Sequence, residues 1–221
     1  ALCRMRRIYG SQVLHGKIDR KVKEFFTTRG YIRDDEMRAV RTAQMHQSGE
    51  SFHIKRSEGA LTDLETIVQF LQVEAFPEKR EVWTPALYKA LSLLEKHGRI
   101  SRKERLLISE AYYLYRRVVT GLRVLRGASD NLELHFSENP DLAPLARRAG
   151  YRRIGMLAEA EQLTADLRLH SAGIRALAVR RLRHRFQDDH PIHGIEDFLH
   201  RPSFEYVVLA RYFKNHQGHV A

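Results

Sequence analysis

Lys55-Arg-Ser-Glu-Gly-Ala-Leu-Thr-Asp-Leu-Glu65 is the stretch of this chain whose residue types and spacing can do chemistry. A lysine leads into a turn built on one glycine, Gly59, and two carboxylates, Asp63 and Glu65, follow just before an apolar helical run. Two readings fit. In the first, turn amides and the Lys55 ammonium gather round an anion such as a nucleotide phosphate, with Asp63 and Glu65 close by. In the second, Gly59 is only the turn before a helix, and both acids sit in its first turn, where the macrodipole favours negative charge. The glycine spacing matches neither a Walker-type loop nor a dinucleotide fingerprint, and no strand pattern precedes the segment.

Three other groupings contain reactive or charged residues. Gly127-Ala-Ser-Asp-Asn-Leu-Glu133 places Asp130 and Glu133 near each other, but it follows a helix without a strand pattern and reads as a solvated loop. His184, His190, His193 and His200 lie among Asp188, Asp189, Glu196 and Asp197, all metal-capable groups. Their spacing gives no helical ligand pair, so a polar tail is the plainer reading. Arg175, Arg180, Arg181, Arg183 and Arg185 crowd the end of a long helix, where cations offset the dipole and leave a basic face. Arg116, Arg117 and Arg123 read either as salt-bridge partners or as the lining of a nucleotide groove.

The elements that must position these residues are helical. Ile18, Val22, Phe25 and Phe26 recur at helical spacing up to Gly30, and Asp34 or Asp35 caps a second helix carrying Met37, Val40, Arg41 and Met45. Gln47 to Glu50 reads as a loop. Leu64, Ile67, Val68, Leu71 and Phe76 form the next stripe, stopped by Pro77. Thr84-Pro85 predicts an N-cap with proline at the first helical position, and His97-Gly98 closes that helix. Ser101 with Glu104 forms a capping box opening the longest helix, through Leu106, Leu107, Ala111, Leu114, Val118, Leu122 and Leu125 to Gly127. Gly121 inside it marks close helix packing. A loop from Ala128 to Pro144, a short helix up to Gly150 and a long helix from Ile154 to Arg183 follow. Ser203 caps a last helix in the tail.

The chain has 221 residues with 43% hydrophobic content, sufficient for a folded core. Sparse glycine and proline, with no clean alternation, predict an all-α helical bundle. No apolar run approaches the ~20 residues of a membrane span. Cys3 is the lone cysteine, which excludes an internal disulfide and a thiolate zinc site and fits a reducing cytoplasm. A net charge of +11 implies attraction to a polyanion: nucleic acid, nucleotide or an acidic protein. Aromatics are not interleaved with the arginines, which argues against nucleic acid. The chain begins at Ala1 in mid-pattern, as a fragment of a longer protein would.

Several segments, in order, resemble the glutamine synthetase adenylyltransferase family. Ala1 to Gly10 is similar to its A-L-x-R-A-R-x-V-Y-G segment, and Glu36-Met-Arg-Ala-Val-Arg41 to its V-R-x-M-R helix. Lys55 to Glu65 resembles K-x-x-x-G-G-x-x-D-I-E, continued by Gln69, Leu71 and Gln72. Ala111-Tyr112 with Arg116 resembles A-Y-x-x-L-R, and Leu145 to Tyr151 resembles L-A-x-x-x-G-Y. The resemblance covers residues 1 to about 151 and fades by Leu182.

It implies a helical domain, residues 1–182, that directly follows a nucleotidyltransferase domain, with 183–221 as an extension of no recognised counterpart. The whole enzyme of that family moves AMP to or from a tyrosine of glutamine synthetase, using ATP or phosphate and magnesium under a nitrogen signal. The implied partners are the preceding catalytic domain, glutamine synthetase and a nitrogen-signal protein. By the same resemblance Lys55 contacts phosphate, Gly59 permits the turn, and Asp63 and Glu65 orient basic groups or hold the two domains together. Glu58 and Thr62-Asp63 look more like the adenylylating unit, and Leu145 to Tyr151 more like the deadenylylating one; the first is preferred. Two positions depart: Gly59-Ala60 replaces paired glycines, leaving less room for a phosphate, and Thr66 replaces a phenylalanine. The superfamily's Asp-x-Asp metal site is missing here, so the chain alone is expected to be catalytically silent, with no catalytic or metal-ligating residue. The competing expectation is a non-enzymatic basic helical module that binds an acidic protein or nucleic acid.

Overall fold

The computed structural model describes residues 5, 7–28, 51–127, 131–137 and 139–182. The expected helix at Met37 to Met45, the Glu36–Arg41 motif, Asp130, Arg183, Arg185, the histidine-rich tail and the Ser203 helix lie outside these. The described residues form six α-helices and a two-stranded sheet, which makes the fold all-α. They are α1 (Gln12–Thr28), α2 (Leu61–Ala75), α3 (Leu87–Lys96), α4 (Arg102–Arg126), α5 (Leu142–Arg148) and α6 (Glu159–Leu182). A single 3-10 turn, Arg80–Val82, joins α2 to α3.

Helix α2 packs against α3, α4 and α6 because its apolar residues occupy more than one face: Leu61, Leu64, Ile67, Val68, Phe70, Leu71 and Val73 are all buried. Burying each such side chain stabilises the fold by roughly 1.5–3 kcal/mol. Two polar residues of the helix, Asp63 and Gln72, are buried too, and the Gln72 amide donates to the carbonyls of Val82 (2.7 Å) and Thr84 (2.9 Å). That contact fixes the α2–α3 connection and explains a correction. Thr84 is tied down by its carbonyl, so α3 starts at Leu87 with Ala86 as its N-cap, two residues later than Thr84-Pro85 predicts.

Helix α4 follows the sequence closely. Ser101 and Glu104 form the reciprocal capping box, and Gly127 ends the helix in the left-handed region at φ 66°. The buried stripe is Ile108, Ala111, Leu114, Tyr115, Val118, Val119 and Leu122; Leu106 is exposed instead. A β-carbon on Gly121 would stand 2.6 Å from a Leu145 methyl, so the expected close packing is against α5. Helix α6 lies across α2, α4 and α5 and buries Leu163, Leu167, Ile174, Leu177 and Ala178. It begins at Glu159 rather than Ile154, because Ile154 to Leu157 forms a tight turn closed by Ile154↔Leu157 bridging.

Two short strands accompany the helices of the all-α fold. β1 (Ser51–His53) pairs antiparallel with β2 (Glu133–His135), in the register Ser51↔His135, Phe52↔Leu134, His53↔Glu133. β1 therefore precedes the Lys55 turn, where the residues suggest no strand, and β2 lies inside the expected 128–144 loop. Glu133 is a strand residue whose carboxylate accepts from the Ser51 hydroxyl. Helix α1 stands apart, touching a small aromatic cluster of Phe26, Phe76 and Val73 with Val22 and Trp83.

Candidate functional site

The turn between β1 and α2 is built from the inside. His53 anchors it: its carbonyl accepts from Arg56 and Ser57 (both 3.0 Å), and its Nδ1 accepts from the Lys55 and Arg56 amides (both 3.2 Å). The Ser57 hydroxyl returns the contact by accepting from the His53 amide at 2.8 Å. Further round, Ala60 donates to Ser57, Leu61 to Ile54 and Thr62 to Lys55, while Ile54 donates to Leu132 beside β2. Each of these amides has an acceptor within the chain, as buried main-chain groups require.

Gly59 sits at the centre, buried, with φ 71°. Its amide donates to an Asp63 carboxylate oxygen at 2.8 Å, and its carbonyl accepts from the Tyr115 hydroxyl at 2.8 Å. A β-carbon there would meet the Ser171 carbonyl oxygen of α6 at 2.0 Å. The residue must therefore be glycine for two reasons, the left-handed conformation and the contact with α6. Ala60 is different: it lies in extended backbone, φ −82° and ψ −168°, where a methyl group costs nothing. That is why one glycine suffices where the resembling signature carries two.

These contacts give two of the expected site residues partners inside the fold. Gly59 and Asp63 are brought together, but both are buried and spend their polar atoms on each other, on Tyr115 and on the packing against α6. Gly59 permits the turn, as expected of it, and the amides named above are taken up by acceptors within the chain. Lys55 and Glu65 are half-buried. Lys55 joins the turn through its main chain, accepting from Thr62 at 3.0 Å. Among the described residues no three His, Cys, Asp or Glu side chains gather as metal ligands. No chemical step is assigned to these residues.

Burial pushes the Tyr115 phenol well above its ordinary range, and the neighbouring Asp63 carboxylate adds to the shift. Tyr115 is thus a neutral hydrogen-bond donor locking α4 to the turn. Its place on the buried stripe of α4 is the sequence signal for this, since a phenol in a core must find an acceptor. Ser171 and His53 give no such signal; only the folded chain brings them to Gly59.

The arginines divide by partner. Glu104 accepts from Arg180 (2.6 Å) and, on both carboxylate oxygens, from Arg181 Nη2 (2.7 Å each), with Arg181 Nε at 3.0 Å, tying the end of α6 to the start of α4. Arg175 pairs with Glu58 at 3.0 Å, fastening the turn to α6 a second time. Arg117 donates to the Arg148 carbonyl at 3.2 Å and lies 5.3 Å from the Tyr113 ring.

The sequence profile of the GlnD PII-uridylyltransferase family matches residues 26–182. The chain belongs to this family. It is thereby a nucleotidyltransferase-family domain, which confirms the coarse form of the resemblance, while glutamine synthetase adenylyltransferase in particular is a finer assignment than the match makes. The match spans the turn, Tyr115 and the whole of α6, so the family region includes every element that closes on Gly59. No curated protein matches the chain.

Proposed function

We propose that this chain is the helical, non-catalytic part of a nucleotidyltransferase that adenylylates or deadenylylates glutamine synthetase, and that it docks against a preceding catalytic domain. The observation that carries this reading is α1. Val13, Leu14, Ile18 and Phe25 stand exposed along it, and among the described residues of this helix only Phe26 is buried. An amphipathic helix with an uncovered apolar face fits a domain that packs against a neighbour. In this reading Lys55 and Glu65, on the outer side of a turn locked from within, face the shared cleft. Lys55 meets a phosphate of ATP held with magnesium by the catalytic domain, and Glu65 orients basic groups across the boundary. The enzyme works in the cytoplasm under a nitrogen-signal protein. Among the described residues no helix is long and apolar enough to cross a membrane.

A second reading is favoured by the family match: transfer of UMP to a PII-type signal protein, the activity in the family's description. The two separate in one experiment. The chain joined to its preceding domain is incubated with labelled ATP and glutamine synthetase, or labelled UTP and a PII-type protein, each with magnesium. Label on glutamine synthetase supports the first reading, label on the PII-type protein replaces it with the second, and label on neither removes both. ATP titration of the joined protein then tests Lys55: Lys55→Ala is expected to weaken binding about tenfold, the loss of one charged hydrogen bond. Unchanged affinity removes Lys55 from the cleft.

The competing basic-module reading has its own discriminator. Binding of random-sequence DNA that falls steeply with salt, without nucleotide binding, would favour it.

A further inference from the structure

We propose that the tight turn at Arg152–Leu157 is a protein-docking knuckle for an acidic partner surface carrying an apolar pocket. The turn exposes what a chain normally hides. Met156 is 95% exposed and Ile154 48%, at the tip of a turn with Gly155 at φ 58°. Mutual main-chain hydrogen bonds between Ile154 and Leu157, 3.2 and 3.0 Å, close it.

The turn is held rigidly from behind. The amide of Gln162, a buried residue of α6, donates to the Arg152 carbonyl at 2.7 Å and the Leu157 carbonyl at 3.3 Å. The Tyr151 hydroxyl donates to the buried Asp166 carboxylate at 2.5 Å. Two buried polar side chains of α6 thus fix the base of a turn whose tip is apolar and solvated. Such a preorganised apolar tip loses little conformational freedom on binding.

The surroundings define the partner. Arg147, Arg148, Arg152 and Arg153 are exposed beside the tip, and among the described residues none of them pairs with a carboxylate. Of the nearby carboxylates in the first turn of α6, Glu161 accepts from the Ala158 amide at 2.7 Å and Glu159 is half-buried, so four arginines face two acids here. Dipole compensation at the end of α5 accounts for Arg147 and Arg148 in part. It does not account for Arg153, or for an exposed methionine at the tip. Methionine at the centre with arginine around it is the composition of a protein interface. Single strands are gripped by aromatic faces set among the cations, and residues 152–157 contain no aromatic. The complement is a protein face with Asp and Glu around a hollow that takes Met156.

Random peptides displayed on phage, selected on the full chain, test this without reference to nucleotide or glutamine synthetase. Enriched peptides are expected to carry Asp and Glu around an apolar anchor. When synthesised, they should bind the Ile154→Ser/Met156→Ser double variant at least about tenfold more weakly. Arg152→Ser/Arg153→Ser should flatten the salt dependence of binding. The replaced side chains are exposed, and an unchanged thermal unfolding midpoint confirms that each variant is folded; Met156→Ala alone serves where the double variant is not. The proposal is overturned if no peptide is enriched, if the peptides bind the double variant equally well, or if they lack acidic residues. It is also overturned if random-sequence single-stranded RNA binds as tightly and by the same residues.

Discussion

Gly59 lies so close to Ser171 that a β-carbon on the glycine would stand 2.0 Å from the serine's carbonyl oxygen. A main-chain atom inside a helix cannot move aside as a side chain can. Gly59→Ala is therefore expected to destabilise the domain by at least about 3 kcal/mol, combining left-handed strain with displacement of α6. Ala60→Gly, next door in extended backbone, should change stability by no more than about 1 kcal/mol. Urea unfolding of both variants checks the pair, and equal effects would mean that the turn does not pack against α6.

Gly121 offers the contrasting case, because its neighbour at 2.6 Å is a Leu145 methyl. Gly121→Ala gains about 1 kcal/mol of helix propensity and loses about 1–3 kcal/mol by crowding Leu145. The net cost should be about 1 kcal/mol and should shrink when Leu145→Val is combined with it. A double-mutant cycle measures the coupling; strict additivity would place the methyl elsewhere.

Tyr115 should make the domain sensitive to alkali. Its phenol is pushed up in the folded state, so above about pH 10 the unfolded chain releases a proton that the native one keeps. The unfolded state then binds fewer protons, and stability falls as pH rises past that point. Absorbance titration of the nine tyrosines should show Tyr115 ionising only as the protein unfolds. Tyr115→Phe should abolish that component and cost about 1–2 kcal/mol at neutral pH through the lost contact with Gly59.

Glu104 should set the acid limit. Burial raises its carboxyl, but the Ser101 amide and then the Arg181 guanidinium outweigh that and hold it below the usual glutamate range. Because the folded value is the lower one, the stabilisation is complete well above about pH 4.3 and is lost as pH falls through the depressed folded value. Glu104→Gln should lose about 2 kcal/mol at neutral pH, roughly 4–8 °C in Tm, and should flatten the acid branch of the stability curve. An unaltered acid branch would assign that limit to other carboxylates.

The local signals in the sequence predict most of the fold. Ser101 and Glu104 announce the start of α4, Gly127 its end, and the stripe from Leu64 to Leu71 gives α2, because capping and periodicity act over a few residues. What escaped depends on partners distant in the chain. Ser51–His53 is too short to show alternation, and it becomes a strand only because Glu133–His135 comes to lie beside it. Thr84 looks like a cap until Gln72 holds its carbonyl. The inner contacts of the turn escaped for the same reason. Lys-turn-Gly-Asp spacing suggests an anion cradle, but Asp63 turns inward to the Gly59 amide once Tyr115 and Ser171 close over it.

Helix α1 meets the rest of the described domain near one end only, where Phe26 lies 5.0 Å from the Trp83 ring. Gln12, at the other end, is roughly 20 Å away along the axis at about 1.5 Å per residue. A tilt of about 10° about the Phe26 pivot would thus carry the far end through roughly 3–4 Å, by the same helical rise. Whatever rides on that end is borne on a stiff arm, and ring packing at a single joint governs how far it swings.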